Sequence, residues 1–217
     1  MSALISDEIP PFHTALVVGT DTKAFTKALA RLQPALKLEQ KTVSPEHPES
    51  AVRLSYPERH FDLVIALDVI AALPPDVRPL FFRELVRLAG RSVICAAPLD
   101  TKLHLLLDRS LINFYRERFR TVHSELVKRV DYGLPTPQEA FSWIRHGEDA
   151  DIFYAGDLAA YQQAAEMLIR RTELGWLRFI LWRLTTHFST FPDPSLNEPE
   201  TVPMRRHRRF YLQLRRI

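Results

Sequence analysis

Two rhythms of apolar residues alternate along the first half of this chain. His13 to Gly19 (HTALVVG), Phe61 to Leu67 (FDLVIAL) and Arg91 to Pro98 (RSVICAAP) are short, nearly unbroken apolar runs. Runs of that length rich in Val, Ile and Leu read as strands buried on both faces, as in a parallel sheet covered by helices. Between them the spacing becomes helical. Ala24, Phe25, Ala28, Leu29 and Leu32 form one stripe of a helix starting at about Thr22 and stopped by Pro34. Val77, Leu80, Phe81, Leu85 and Leu88 form a second stripe, with Asp76 placed as N-cap, Pro79 in the first turn and Gly90 at the end. Leu36 to Val43 reads as a second strand, Ser44 to Ser50 as loop, and Val52 to Tyr56 as a short third strand, which makes Phe61 to Leu67 the fourth. Strand and helix repeating in this order predict a right-handed parallel α/β sheet.

Beyond Asp100 the pattern turns helical and basic. Leu107, Leu111, Phe114, Val122 and Leu126 recur through a long helical region, Thr101 to Val130, among many Lys and Arg residues. Tyr132-Gly133-Leu134-Pro135 breaks it. Thr136 then caps a helix carrying Phe141, Trp143 and Ile144, which leads to a sixth strand near Asp151 to Tyr154. Asp157 caps a helix to about Thr172, and Leu174 to Leu184 is the most apolar helical stretch. Packing on the sheet or on a dimer partner is the favoured reading, while Arg178 and Arg183 with the Trp residues leave a membrane surface as the less favoured one. Phe210, Leu212 and Leu214 alternate with Tyr211, Gln213 and Arg215, so a last strand is expected around 209–215.

Composition changes this picture little. A chain of 217 residues, 46% hydrophobic and 25% charged, suits one domain with one core. The net charge of +3 comes from the end of the chain, where Arg205, Arg206, Arg208, Arg209, Arg215 and Arg216 occur without an acid. Such a tail can hold nucleic acid or an anionic membrane surface, but its alternation favours a strand with solvated ends, and nucleic-acid binding is not expected. Cys95 is the only cysteine and lies inside an apolar run, so it reads as inert packing. With no apolar leader or span of membrane length, a cytoplasmic protein is expected. The eight histidines show no metal-ligand spacing, and His104 and His123 read as solvated or partly buried helix residues. Nucleophile-elbow and phosphate-loop patterns are also absent.

The most informative stretch is Phe61 to Pro75, FDLVIALDVIAALPP, in which a buried strand delivers Asp68 to a turn followed by a helix. Open α/β sheets bind ligands outside the carboxyl ends of their strands, so an acid at this place has a functional position. This stretch, with the helix RPLFFREL from Arg78 and the strand RSVICAAP, resembles the class I S-adenosylmethionine (SAM)-dependent methyltransferases, especially the small stand-alone, type 11-like group. The resemblance implies a Rossmann-like, mostly parallel seven-stranded sheet with a C-terminal helical cap. It implies a single domain over 1–217, with cap helices around 100–130 and 157–190.

The resemblance also implies a cofactor site. SAM would lie on Gly19, Thr20, Asp21 and Lys23 after the first strand, on Glu39 in the second, on Ser50 before the third, and on Asp68. The pattern departs from the family at several of these positions. Of the usual G-x-G-x-G only Gly19 remains, with Asp21 and Lys23 where the other glycines stand, and Lys23 is a candidate partner for the methionine carboxylate. Ser50 replaces the acid that faces adenine, and Ala71-Ala72 replace Glu-His after Asp68. The expected activity is methyl transfer to a small-molecule or lipid- or sugar-linked acceptor. The alternative is a methyltransferase-like protein that no longer binds cofactor and acts as a structural or regulatory partner.

Overall fold

The sheet is built from two sets of apolar side chains that alternate along each strand. The computed structural model describes residues 11–20, 22–157, 161–163, 165 and 207–215. Six strands are formed among them: β1 (Thr14–Gly19), β2 (Lys37–Thr42), β3 (Phe61–Leu67), β4 (Ala89–Pro98), β5 (Asp149–Asp157) and β6 (His207–Arg215), in the order β2-β1-β3-β4-β6-β5. The pairs β1–β2, β1–β3 and β3–β4 are parallel, whereas β6 is antiparallel to both β4 and β5. Leu16, Val18, Val64, Ala66, Val93, Cys95, Phe210, Leu212 and Leu214 point to one face, against Phe81, Phe82, Leu85 and Trp143. Ala15, Val17, Leu63, Ile65 and Ile94 point to the other, against Leu29 and Leu36. This two-sided burial explains why the strands read as continuous apolar runs.

Helices α1 (Lys23–Leu32), α2 (Arg78–Leu88), α3 (Lys102–Phe119), α4 (Ser124–Tyr132) and α5 (Pro137–Ser142) complete the described fold. Thr136 caps α5 as expected, its side chain accepting the Glu139 N–H at 3.0 Å. Thr101 does the same for α3, accepting the His104 N–H at 3.1 Å. The single helical region expected over Thr101 to Val130 is two helices, because Arg120 turns the backbone to the left-handed region at φ 54°. The boundaries of α2 differ from expectation. Val77 rather than Asp76 is its N-cap, Leu80 is exposed, and Gly90 lies within β4. Asp157, expected to cap a helix, ends β5; positions 161–163 and 165 are helical, while the remainder of the expected 157–190 helices, including Leu174 to Leu184, lies outside the described residues.

The described sheet has six strands rather than seven because Val52 to Tyr56 does not pair. Side chains of α2 take its backbone groups instead. Glu84 accepts the Leu54 N–H at 2.7 Å, and Arg87 donates to the carbonyls of Tyr56 at 3.0 Å and Leu54 at 3.2 Å. The buried Glu84 carboxylate also receives Arg87 at 2.7 Å, and that hydrogen bond raises the Arg87 pKa against the cost of desolvation. β2 is thereby left as an edge strand. Its Lys37, Glu39 and Lys41 supply the charge that guards such an edge against further pairing.

At the other end of the sheet, Asp62 fastens β1 to β3. Its Oδ2 accepts the N–H groups of His13 at 2.7 Å and Thr14 at 3.0 Å, while the Asp62 N–H donates to Thr14 Oγ1 at 3.0 Å. Desolvation works to raise the Asp62 pKa. The two backbone N–H groups, with Arg91 and His13, outweigh it and hold the carboxyl below its usual value.

Candidate functional site

The chain order places the topological switch point between β1 and β3, since β1 connects toward β2 on one side and β3 toward β4 on the other. Ligands in open α/β sheets lie in the crevice outside the carboxyl ends of such strands. Gly19 ends β1 there. A Cβ at Gly19 would meet the Thr22 Cγ2 methyl at 2.3 Å and Leu67 O at 3.5 Å, so any side chain there would have to displace the buried Thr22. Asp68 ends β3. Its N–H is held by Ala96 O at 2.9 Å and its φ is 62°, a left-handed conformation that Asp tolerates better than most residues.

After Asp68 the chain makes a 3-10 turn, Val69–Ala72, whose four residues are all buried, and α4 packs against it. That packing gives a physical account of Ala71 and Ala72. A Glu-His pair at these fully buried positions would bring two ionisable groups into the core without water.

α4 also brings charge to the crevice. Thr20 Oγ1, just beyond β1, donates to Glu125 Oε2 at 2.5 Å, and Glu125 Oε1 accepts from Arg129 one turn further along the helix. The Arg129 guanidinium reaches to within 3.7 Å of Asp68 Oδ2, which Arg209 at the start of β6 engages directly at 2.6 Å. Asp68 and Glu125 thus each face a guanidinium at the mouth of the crevice. Arg129 is 7% exposed. Desolvation disfavours its charge, but Asp68, Glu125 and Asp108 more than compensate and raise its pKa. Its Nε is buried and makes no hydrogen bond among the described residues.

The sequence-predicted residues are only partly gathered here. Gly19, Thr20 and Asp68 lie at the crevice, and Lys23 opens α1 on an exposed position. Glu39 does not reach the edge. It pairs with Leu16 in the middle of β2, three residues before Thr42, which stands opposite Gly19. Burial, together with the Glu39 charge and a hydrogen bond to Glu39, raises the Tyr56 pKa, so this carboxylate is engaged locally. Ser50 is exposed and donates to His47 O at 2.7 Å, closing the 3-10 turn Pro48–Ala51. Asp21 lies outside the described residues.

Several site residues escaped sequence reasoning. Glu125 and Arg129 read as part of a solvated basic helix, although their i, i+4 spacing marks a pair on one face. Arg209 was grouped with the solvated tail, yet it is bound to Asp68. His104, expected to be solvated or partly buried, is fully buried, its ring 5.1 Å from Tyr161, whose hydroxyl donates to the buried Asp108 at 3.1 Å. Cys95 is buried in β4, as its apolar surroundings suggested. Burial first, and the Asp68 charge second, push its thiol up to about 12. Among the described residues no group of three or more His, Cys, Asp or Glu is arranged to hold a metal. No helix among them is long and apolar enough to cross a membrane.

The fold is that of SAM-dependent methyltransferases. Phosphoethanolamine N-methyltransferase 2 of Haemonchus contortus, solved with phosphomonomethylethanolamine and S-adenosylhomocysteine, superposes with a TM-score of 0.51 at 12% identity, over 97% of this chain and 50% of that one. The plantazolicin methyltransferase BamL, solved with a triazolic desmethylPZN analog and SAH, gives 0.51 at 9% identity, over 95% of this chain and 78% of that one. No family model matches the sequence, and no curated protein matches it. At such identities the likeness establishes the architecture, while function must be argued from the site.

Proposed function

We propose that the protein is a SAM-dependent methyltransferase acting on a small-molecule or lipid- or sugar-linked acceptor, a single domain with a helical cap, working in the cytoplasm. The observation that carries this reading is the pairing of Gly19, packed closely on Thr22 at the end of β1, with Asp68 at the end of β3, on the two sides of the switch point. The orphaned Nε of Arg129 in the same crevice is consistent with a ligand group belonging there. When bound, SAM supplies a methyl group on a sulfonium, and its transfer depends chiefly on alignment of the acceptor. The chain's own contribution is to position and to exclude water. Gly19 lets a ligand approach bare backbone, Asp68 is held in one orientation by Arg209, and α4 packs on the turn that follows Asp68. Calorimetric titration with SAM and S-adenosylhomocysteine tests the reading, and saturable binding below millimolar ligand is expected.

A second reading has an observation of its own. Thr20 and Asp68 are engaged with Glu125 and Arg209, and Glu39 and Ser50 are engaged away from the crevice. A protein that keeps the fold without the cofactor would look like this. Absence of heat and of thermal stabilisation at millimolar SAM would favour that structural or regulatory role.

A further inference from the structure

The methyltransferase reading leaves the purpose of the α4 charges open. Glu125 and Arg129 are one helical turn apart, are paired with each other, and are the residues that α4 presents to Thr20 and Asp68 at the carboxyl ends of β1 and β3. An ion pair whose arginine is buried in this way is rarely a source of net stability, because desolvation of the guanidinium offsets the attraction. One part of Arg129 is also unused. Its buried Nε makes no hydrogen bond among the described residues, and the guanidinium's approach to Asp68 Oδ2 at 3.7 Å is too long for one, since Arg209 already engages that oxygen. A guanidinium recognises a carboxylate by two parallel N–H bonds, and a ligand carboxylate would take the open Nε together with the Nη2 that Glu125 releases.

Charge balance narrows the ligand further. Glu125 and Arg129 carry opposite charges one helical turn apart. A lone anion or cation would leave one of them uncompensated in a poorly hydrated place, which is costly. An amino-acid zwitterion would not. Its ammonium can satisfy Glu125 and its carboxylate Arg129, so the internal pair is exchanged for two intermolecular pairs with no charge stranded.

The geometry points to Glu125 and Arg129 as a clamp for the amino-acid end of the cofactor, Glu125 taking the ammonium and Arg129 the carboxylate. The clamp rests on the methyltransferase reading and assigns to α4, outside the core of the sheet, a contact for which the sequence suggested Lys23. Thr20 fixes the Glu125 carboxylate beside the β1 turn, and Asp108 and Asp68 keep Arg129 charged.

The test compares S-adenosylhomocysteine with methylthioadenosine, which carries the same nucleoside without the amino-acid end. Calorimetry on the full chain is expected to show native protein preferring S-adenosylhomocysteine by about tenfold or more, as for a charge-assisted contact. Glu125→Gln and Arg129→Lys should each weaken S-adenosylhomocysteine by about tenfold and leave methylthioadenosine unchanged. Gln keeps an acceptor for Thr20 and Lys keeps a cation for Glu125, so both variants retain a folded core, verified by their urea midpoints. Native protein that binds both ligands equally would overturn the clamp and leave the cofactor reading intact. Binding of neither ligand would overturn both. Equal loss of the two ligands in the variants, or tighter S-adenosylhomocysteine binding in Glu125→Gln, would overturn the clamp and make the pair a support or a closure of the crevice.

Discussion

Arg78 offers a direct test of what holds the floor of the site in place. It opens α2, is 2% exposed, and spreads its guanidinium across three separate segments. Nε donates to Leu73 O at 3.1 Å, in the turn that follows Asp68. Nη1 donates to both carboxylate oxygens of Glu139 on α5, at 3.1 and 3.2 Å, and Nη2 to Gly133 O at 2.5 Å. Arg78→Met keeps much of the volume and removes every one of these donors. Deleting one member of a buried pair costs about 3–5 kcal/mol, and hydrogen bonds to a charged group about 1.5–3 kcal/mol each. Because Glu139 is 28% exposed and can regain water, the lower end applies, a loss of about 3 kcal/mol. With an m-value of about 2 kcal/mol/M, the urea midpoint should fall by about 1.5 M at unchanged m. Arg78→Lys should fall between native and Met, since an ammonium keeps the charge but cannot span three acceptors at once. A midpoint shift below about 0.5 M in Arg78→Met would refute the reasoning and show that the guanidinium merely breaks even against a hydrophobic side chain.

Two further outcomes follow from titrating groups. Cys95, buried and with its thiol pushed up to about 12, should resist iodoacetamide at pH 8 in native protein and react promptly in urea. Alkylation of the native form at the rate of an exposed thiol would contradict this burial. The folded pKa of Asp62 is depressed, so its stabilisation is fully present above its ordinary value of 3.8 and is lost as pH falls through the lower folded value. Asp62→Asn should therefore be less stable than native protein near neutrality, and the gap should close in acid, as read from urea midpoints across that range. A gap independent of pH would assign the effect to packing instead.

How much of this was legible beforehand depends on the range of the interaction that decides each feature. Burial periodicity is local, so the alternating faces of β1 and β3, the burial of Leu29 in α1 and of Phe81, Leu85 and Leu88 in α2, the Thr136 cap and the position of Asp68 at a strand end could be read from neighbouring residues, although Leu32 and Leu80, expected in the same stripes, are exposed. The failure of Val52 to Tyr56 to form a strand could not, because its hydrogen bonds go to Glu84 and Arg87, some thirty residues away on another element. Counting from Gly19 reached Glu39, but the parallel register sets it opposite Leu16, in mid-strand. The crevice itself is assembled from the most distant parts of the chain: Thr20 meets Glu125, and Asp68 meets Arg209. Apolar side chains announce their burial through period and type. An arginine in a basic helix or tail looks the same in sequence whether it faces water or a buried carboxylate, and only the packing of α4 and β6 around the ends of β1 and β3 makes that choice.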